Sequence, residues 1–419
     1  MLRGLLVTVA LAGVPVVAAT APAAATGCQY GKTQYVDTSS YAIASLGAPQ
    51  SWPLATGKGV TVAVVDSGVD DHNAHLSGAV LPGGSFVGGD PTGRVDKAGH
   101  GTGVAGIIAA RPLTGSKLVG EAPDAKILPV RVFQYDSIQG RTVPYPPDGT
   151  RIAQGIRWAV QNHADVINVS MSSPATDPAV PAIKAAVALA HRHNVVVVAS
   201  GGNYELPQGQ TNAQPTTALR YPAAAPHVIG VAASNAQGEV DDWSIHGPQN
   251  DVAAPGANVL ITFFANGDCL AGDKPYTSWA AGFVSGLAAQ LRQRFPHESA
   301  DQIAYRITAS ADRPRLFERT DTDGGGEIRP YDALTMTLDP NRPGPPLPGA
   351  AHQVTPPAPR SPVTPLAVRT DPLAPTRARM LWWALGATGL GALALVLRPW
   401  VGRLASSAGS RRRTSTPRL

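Results

Sequence analysis

Charge is scarce in this sequence. Only 15% of its 419 residues are charged, against 43% hydrophobic. That composition supplies a sizeable core, and the length suits one large or two ordinary domains. Cysteine is nearly absent. Cys28 and Cys269 are the only two, which excludes a framework of several disulfides and leaves one bond or two unpaired thiols. Residues 398–419 lack acids altogether but hold Arg398, Arg403, Arg411, Arg412, Arg413 and Arg418. The net charge is +5, so everything before this tail sums to about −1. The basic excess is local and carries no nucleic-acid signal.

The two ends read as export and anchoring segments. Arg3 precedes an apolar run from Leu5 to about Ala19, and small residues follow through Ala25. Residues 1–25 are thus expected to be a secretory signal. Residues 380–397 lack charge, have the length of a short membrane span, and are flanked by Trp382, Trp383 and Trp400. Arginine on the far side places the tail, 398–419, in the cytoplasm and the body outside, as a single-pass type I protein of the cell membrane. A dozen prolines between Pro340 and Pro375 make 339–378 a stiff, extended linker. An N-terminal extension, 26–58, has no strong periodic element beyond a short helix expected within Tyr41 to Trp52.

What remains, 59–338, alternates strand and helix signals. Val60 to Val65, Ile127 to Val132, Val166 to Ser170, Val195 to Ala199 and Val228 to Ala233 are apolar, mostly β-branched runs. Helical patterns occupy Thr150 to Asn162, Ala179 to His191 and 298–310, and Phe133 to Asp148 reads as a surface loop. The expected fold class is α/β, a mostly parallel sheet with helices on both faces, plus one C-terminal membrane helix. Asp321 to Glu327 lacks EF-hand spacing and reads as a glycine turn. His191-Arg-His193 reads as a solvated helix end.

Three sites carry possible chemistry. Asp66 stands at the C-terminal tip of the first buried strand, where open α/β sheets place functional groups, although Asx turns occupy such places too. His100 lies among glycines at the start of a helical run, the place of a functional or of a merely surface histidine. Ser278 begins the run Thr277 to Leu291, in which small residues alternate with Phe283, Val284, Leu287 and Leu291 at helical spacing. It either caps that helix or sits where free N–H groups favour a developing anion.

Together these segments resemble subtilisin-type serine proteases. Val62-Ala-Val-Val-Asp66-Ser-Gly-Val-Asp70 is similar to the family's aspartate motif, His100-Gly-Thr-Gly-Val-Ala-Gly106 to its histidine motif, and Thr277-Ser278 with Ala280-Ala281 and Val284-Ser-Gly286 to its serine motif. The order Asp, His, Ser is the family's order. Ala122 to Val130, Ile167 to Ser170, Val197 to Asn203 and Asp251 to Gly256 add to the likeness, which covers about residues 40–337. It implies catalytic Asp66, His100 and Ser278, an oxyanion donor at Asn203, and a substrate cleft lined by Ser170, Met171, Ser172, Ala199, Ser200 and Gly201. Within the family the architecture, with only about 30 residues between signal and body, is similar to the mycosins, membrane-anchored subtilases of type VII secretion systems. That likeness implies protein or peptide substrates and partners in the secretion machinery, with a scaffolding component of weak or dispensable proteolysis as the alternative. No cofactor or metal is called for, and the sequence is silent on structural calcium. Three departures stand out: Tyr276 replaces a glycine beside the nucleophile, Gly282 replaces a proline, and Met171-Ser172 stands where leucine-glycine is common.

Overall fold

The computed structural model describes residues 27–136, 141–204, 218–312, 319–340, 346–349 and 380, with backbone alone at 135–136 and 141–144. The expected signal, the expected tail, and nearly all of the expected linker and span lie outside the described residues. Among the described residues no helix is long and apolar enough to cross a membrane. Residues 1–353 form one compact unit, and 354–419 form a second, of which only Met380 is described.

The core of the first unit is a seven-stranded sheet: β1 (Thr61–Asp66), β2 (Gly84–Ser85), β3 (Lys126–Arg131), β4 (Val166–Val169), β5 (Val196–Ser200), β6 (Val228–Ser234) and β7 (Val252–Pro255). Every pairing is parallel, in the order β7-β6-β5-β4-β1-β3-β2. The apolar runs form such strands because both faces are covered. Val62 and Val64 of β1 join one core with α3 (His100–Ala109), α6 (Thr277–Arg294) and α7 (Ala300–Ser310). Ala63 and Val65 join the other, with α4 (Gly149–Gln161) and α5 (Val180–Arg192). A side chain on either face leaves water, so near-continuous hydrophobicity replaces alternation.

Helix α6 is buried on nearly every side. Its small residues admit close neighbours: a Cβ at Gly282 would stand 2.9 Å from Ile107 Cγ2, and one at Gly286 only 2.5 Å from Glu121 Cβ. Glycine at position 282 therefore lets α3 pack close, where a proline ring would meet Ile107.

The N-terminal extension is better organised than its lack of periodicity implies. The single expected helix is two, α1 (Tyr41–Ser45) and α2 (Ala48–Ser51), separated by Gly47 in the left-handed region at φ +65°. The segment before them lies along the hairpin Leu260–Thr262 with Asp268–Leu270, to which Cys28 is joined by a disulfide at Cys269. Val36 N–H donates to Asp268 Oδ1 at 2.7 Å, and His75 Nε2 lies 2.9 Å from Asp268 Oδ2. The bond closes a sequence separation of 241 residues. Replacing both cysteines by serine is expected to lower unfolding stability by about 2–5 kcal/mol, read as a lower denaturation midpoint than that of the oxidised wild type.

Two expectations need correction. Phe133 to Asp148 is not a plain loop, because Gln134–Asp136 and Arg141–Tyr145 pair antiparallel. These strands are too short and too rich in turn residues to show a period in the sequence. The end of α5 is not simply solvated either. His191 Nε2 and His227 Nδ1 each lie 2.9 Å from one oxygen of Asp301, and their rings stack at 3.6 Å with 14° between planes. Asp301 arrives from α7, 110 residues beyond His191. Hydrogen bonds and ring stacking thus join the trio across three segments of the chain. Burial pushes Asp301 upward, yet the two imidazoles outweigh it and hold the carboxyl below its ordinary range.

Candidate active site

Asp66, His100, Asn203 and Ser278 come from four separate elements and meet at the C-terminal edge of the sheet. Asp66 ends β1, His100 opens α3, Asn203 follows β5, and Ser278 lies in the first turn of α6. Sheet order reverses beside β1, whose neighbours are β3 and β4, and crevices at such points face the strand C-termini.

Asp66 is fully buried. Its Oδ1 lies 2.8 Å from His100 Nδ1 and also accepts the Ser67 N–H at 2.8 Å. Burial lowers the His100 pKa, but the Asp66 charge and hydrogen bond, with the charge of Asp96, outweigh it and raise His100 above the ordinary histidine value. Asp96 is a residue the sequence reading missed. It is buried, and its carboxylate accepts from the Ser67 hydroxyl, the Ala98, Gly99 and Thr102 amides and the Thr102 hydroxyl at 2.7–3.0 Å. Ser67 Oγ in turn accepts from Gly101 N–H at 2.9 Å. The turn holding His100 is thus tied directly to the turn holding Asp66. Burial nevertheless pushes the Asp96 carboxyl upward against these hydrogen bonds.

Ser278 shares a cavity of about 520 Å3 with His100, Asn203, Ser170 and Met171. Its hydroxyl has no hydrogen bond among the described residues, and its N–H, in the first helical turn, has no intrahelical acceptor. Neither Thr277 nor Ser278 caps α6. Tyr276 is the N-cap and makes no side-chain capping bond. Asn203 does the capping from across the cleft, its Oδ1 accepting Thr277 N–H at 2.9 Å and Thr277 O–H at 3.0 Å. With Oδ1 so committed, the Asn203 amide donors remain for a ligand. A buried chain positions the other side: Ser285 Oγ donates to Asn168 Oδ1 at 2.9 Å, Asn168 Nδ2 donates to Ser170 Oγ at 2.7 Å, and Ser170 Oγ donates to the Ser278 carbonyl at 3.2 Å.

Tyr276 lines the same cavity, and its backbone fits without strain. Its φ of −83° is open to any residue. The close backbone approach is supplied instead by Gly256, whose O accepts Tyr276 N–H at 3.1 Å and whose added Cβ would stand 2.7 Å from Tyr276 O. Trp279 was likewise unmarked in the sequence. Its ring lies 4.9 Å from that of His100 at 30°, over Gly103, where a Cβ would come within 2.9 Å of the indole. Of the expected cleft residues, Ser170 and Met171 line this cavity, and Ser172 and Ser200 line an adjoining one. Ala199 and Gly201 are buried and line neither. Ala199 faces the core of α4 and α5.

Comparison with known proteins places the chain. The model of the subtilase family (Peptidase S8) matches residues 57–331. Mycosin-1 of Mycobacterium tuberculosis is 36% identical over 333 residues, covering 70% of this chain and 73% of that protein. The structure of MycP1 from the ESX-1 type VII secretion system matches with a TM-score of 0.62 and 29% identity, over 77% of this chain and 92% of that one. That of the MycP3 protease from the ESX-3 type VII system matches with a TM-score of 0.62 and 28% identity, over 73% and 92%. This chain belongs to the subtilase family of serine endopeptidases and is related to the mycosins of type VII secretion.

Proposed function

We propose that the chain is a membrane-tethered endopeptidase in which Ser278 is the nucleophile, His100 the general base and Asp66 the group that orients the imidazole, acting on exported proteins beside a type VII secretion machinery. The observation that carries this reading is the 2.8 Å contact of Asp66 Oδ1 with His100 Nδ1 in the cavity that also holds Ser278 and Asn203. An alkyl hydroxyl is a weak nucleophile at neutral pH. His100 Nε2 takes its proton as Oγ attacks a peptide carbonyl, and the imidazolium so formed faces a buried carboxylate. The oxygen that gains charge is met by the Asn203 amide and the Ser278 N–H. His100 then returns its proton to the leaving amine, and a water repeats the sequence to release the acyl group. Tethering rests on the uncharged stretch 380–397 and the arginine tail after it.

Asn203→Ala is expected to lower kcat about a hundred- to a thousandfold with little change in KM. Asn203→Asp keeps an acceptor for Thr277 but has no donor for the oxyanion, so it separates the two roles: kcat falls as far while the unfolding midpoint stays near wild type. The reading as a whole is tested by cleavage of a denatured protein substrate by the detergent-solubilised full chain. Cleavage abolished in Ser278→Ala supports it. Cleavage that persists in that variant, or its absence from well-folded wild type, favours a scaffolding role.

A further inference from the structure

Trp279 follows Ser278 in the first turn of α6, so the helix that sets the hydroxyl also sets the indole. The indole is half-buried and packs against the core shared by α3 and α6. Its ring lies 4.9 Å from that of His100, with 30° between planes. Rings side by side would be held farther apart, so the two overlap face against face. Gly103 makes this position possible. It stands three residues after His100 on α3, on the same face of the helix. A Cβ there would meet the indole at 2.9 Å and push it aside. Phe133 brings a second ring to 6.4 Å from the imidazole at 55°, and both aromatics line the cavity that holds Ser278. Asp66 thus engages the imidazole at its edge, through Nδ1, while Trp279 lies against its face.

An imidazole that takes a proton becomes a cation. Indole offers the most electron-rich face of the aromatic side chains, and a cation within about 6 Å of it is attracted, more strongly where water is excluded. A neutral imidazole gains far less from the same face. The stack therefore favours the state that forms as the Ser278 hydroxyl loses its proton. The charges that bear on His100 are those of Asp66 on β1 and Asp96 in the turn before α3. From α6 come Ser278 and Trp279, and from the segment after β3 comes Phe133, all uncharged. Tyr276 is the other titratable side chain among the described residues that line the cavity, and a phenol stays neutral over the range where a histidine titrates. We propose that Trp279 is a positioning residue for the reaction, its ring face steadying the imidazole against Asp66 and stabilising the imidazolium formed as Ser278 attacks, an assignment that rests on the protease reading above.

The test follows kcat and kcat/KM against pH in the detergent-solubilised full chain. Wild type is compared with Trp279→Leu, Trp279→Phe and a chain carrying a multiply fluorinated tryptophan at position 279. Leucine keeps apolar cover over His100 but has no ring. The fluorinated indole keeps the ring and its shape, while fluorine withdraws electron density from its face. The acid limb of kcat/KM reports the base in the free enzyme. That limb is expected to move to lower pH in Trp279→Leu and with the fluorinated indole, with Trp279→Phe between them and wild type. In Trp279→Leu kcat should also fall, about five- to thirtyfold. Cover alone predicts the opposite sign: burial lowers the His100 pKa, so trimming a residue that only shields the ring lets the limb rise. A limb that stays or rises in both the leucine and the fluorinated chains overturns the assignment, and so does a higher KM with an unmoved limb, which would make the indole a wall for substrate alone. If Trp279→Leu folds poorly, the fluorinated chain, which keeps the native shape, decides. Labelling of wild type by a fluorophosphonate separates the two failures. A labelled enzyme whose limb ignores the indole sinks this assignment alone, whereas an unlabelled, folded chain sinks the protease reading and this assignment with it.

Discussion

Asp66→Asn is expected to lower kcat about ten-thousandfold, equivalent to about 5 kcal/mol of transition-state stabilisation. The size follows from two changes at one contact. Asp66 Oδ1 now accepts from His100 Nδ1, which leaves Nε2 free to take a proton. An asparagine amide can donate to Nδ1 instead, so the proton moves to Nε2 and the base is lost. The negative charge that faces the imidazolium is lost as well. KM should change little, because Asp66 is fully buried and touches no substrate. The pH profile gives a second readout. The base acts when neutral, and His100 is raised above the ordinary histidine value chiefly by Asp66 against the opposing effect of burial. In wild type kcat/KM therefore rises with pH through a value above about 6.5. In Asp66→Asn that acid limb should move to lower pH while the plateau collapses. A plateau loss with no movement of the limb would mean that Asp66 supports the fold rather than the imidazole.

The second large effect is on stability and arises at Glu121, between α3 and β3. The side chain is fully buried, and neither carboxyl oxygen has a hydrogen-bond partner among the described residues. Its backbone carbonyl accepts from Trp52 Nε1 at 3.0 Å and Gln290 Nε2 at 2.7 Å, which fixes the residue against Gly286 of α6. Burial pushes the carboxyl from its ordinary value up to about 8. The folded value exceeds the unfolded one, so the folded state binds the proton more tightly. The stability this provides is fully present below about 4.5 and is lost as pH rises through about 8, with an upper bound of about 5 kcal/mol. Glu121→Gln removes the titration and keeps the shape. Urea unfolding from pH 5 to 9 should show wild type falling progressively behind the variant. A stability difference that stays constant over this range would contradict the assignment.

The sheet and the site differ in how far they can be read from the residues alone. Val62 to Asp66 and Val195 to Ala199 announce buried strands because burial on both faces demands unbroken apolar runs. Ser278, His100 and Asp66 are legible because each sits in a glycine- or small-residue context that only a tightly packed site requires. Asp96 is not legible. It stands four residues before His100, and its partners Ser67 and Thr102 are brought to it only by the fold. Tyr276 looks obstructive in the sequence because the compensating glycine, Gly256, lies 20 residues away along the chain. The packing of Val36 against Asp268 spans 232 residues, so the extension shows no local pattern that foretells it.

The central claim is that Ser278 is an activated nucleophile. Its most direct test is reaction of the detergent-solubilised full chain with a fluorophosphonate, followed by peptide mapping of the adduct. The account predicts a single stoichiometric adduct on Ser278, absent from Ser278→Ala and formed far more slowly by Asp66→Asn. A folded wild-type chain that fails to react, or an adduct on any other residue, would contradict it.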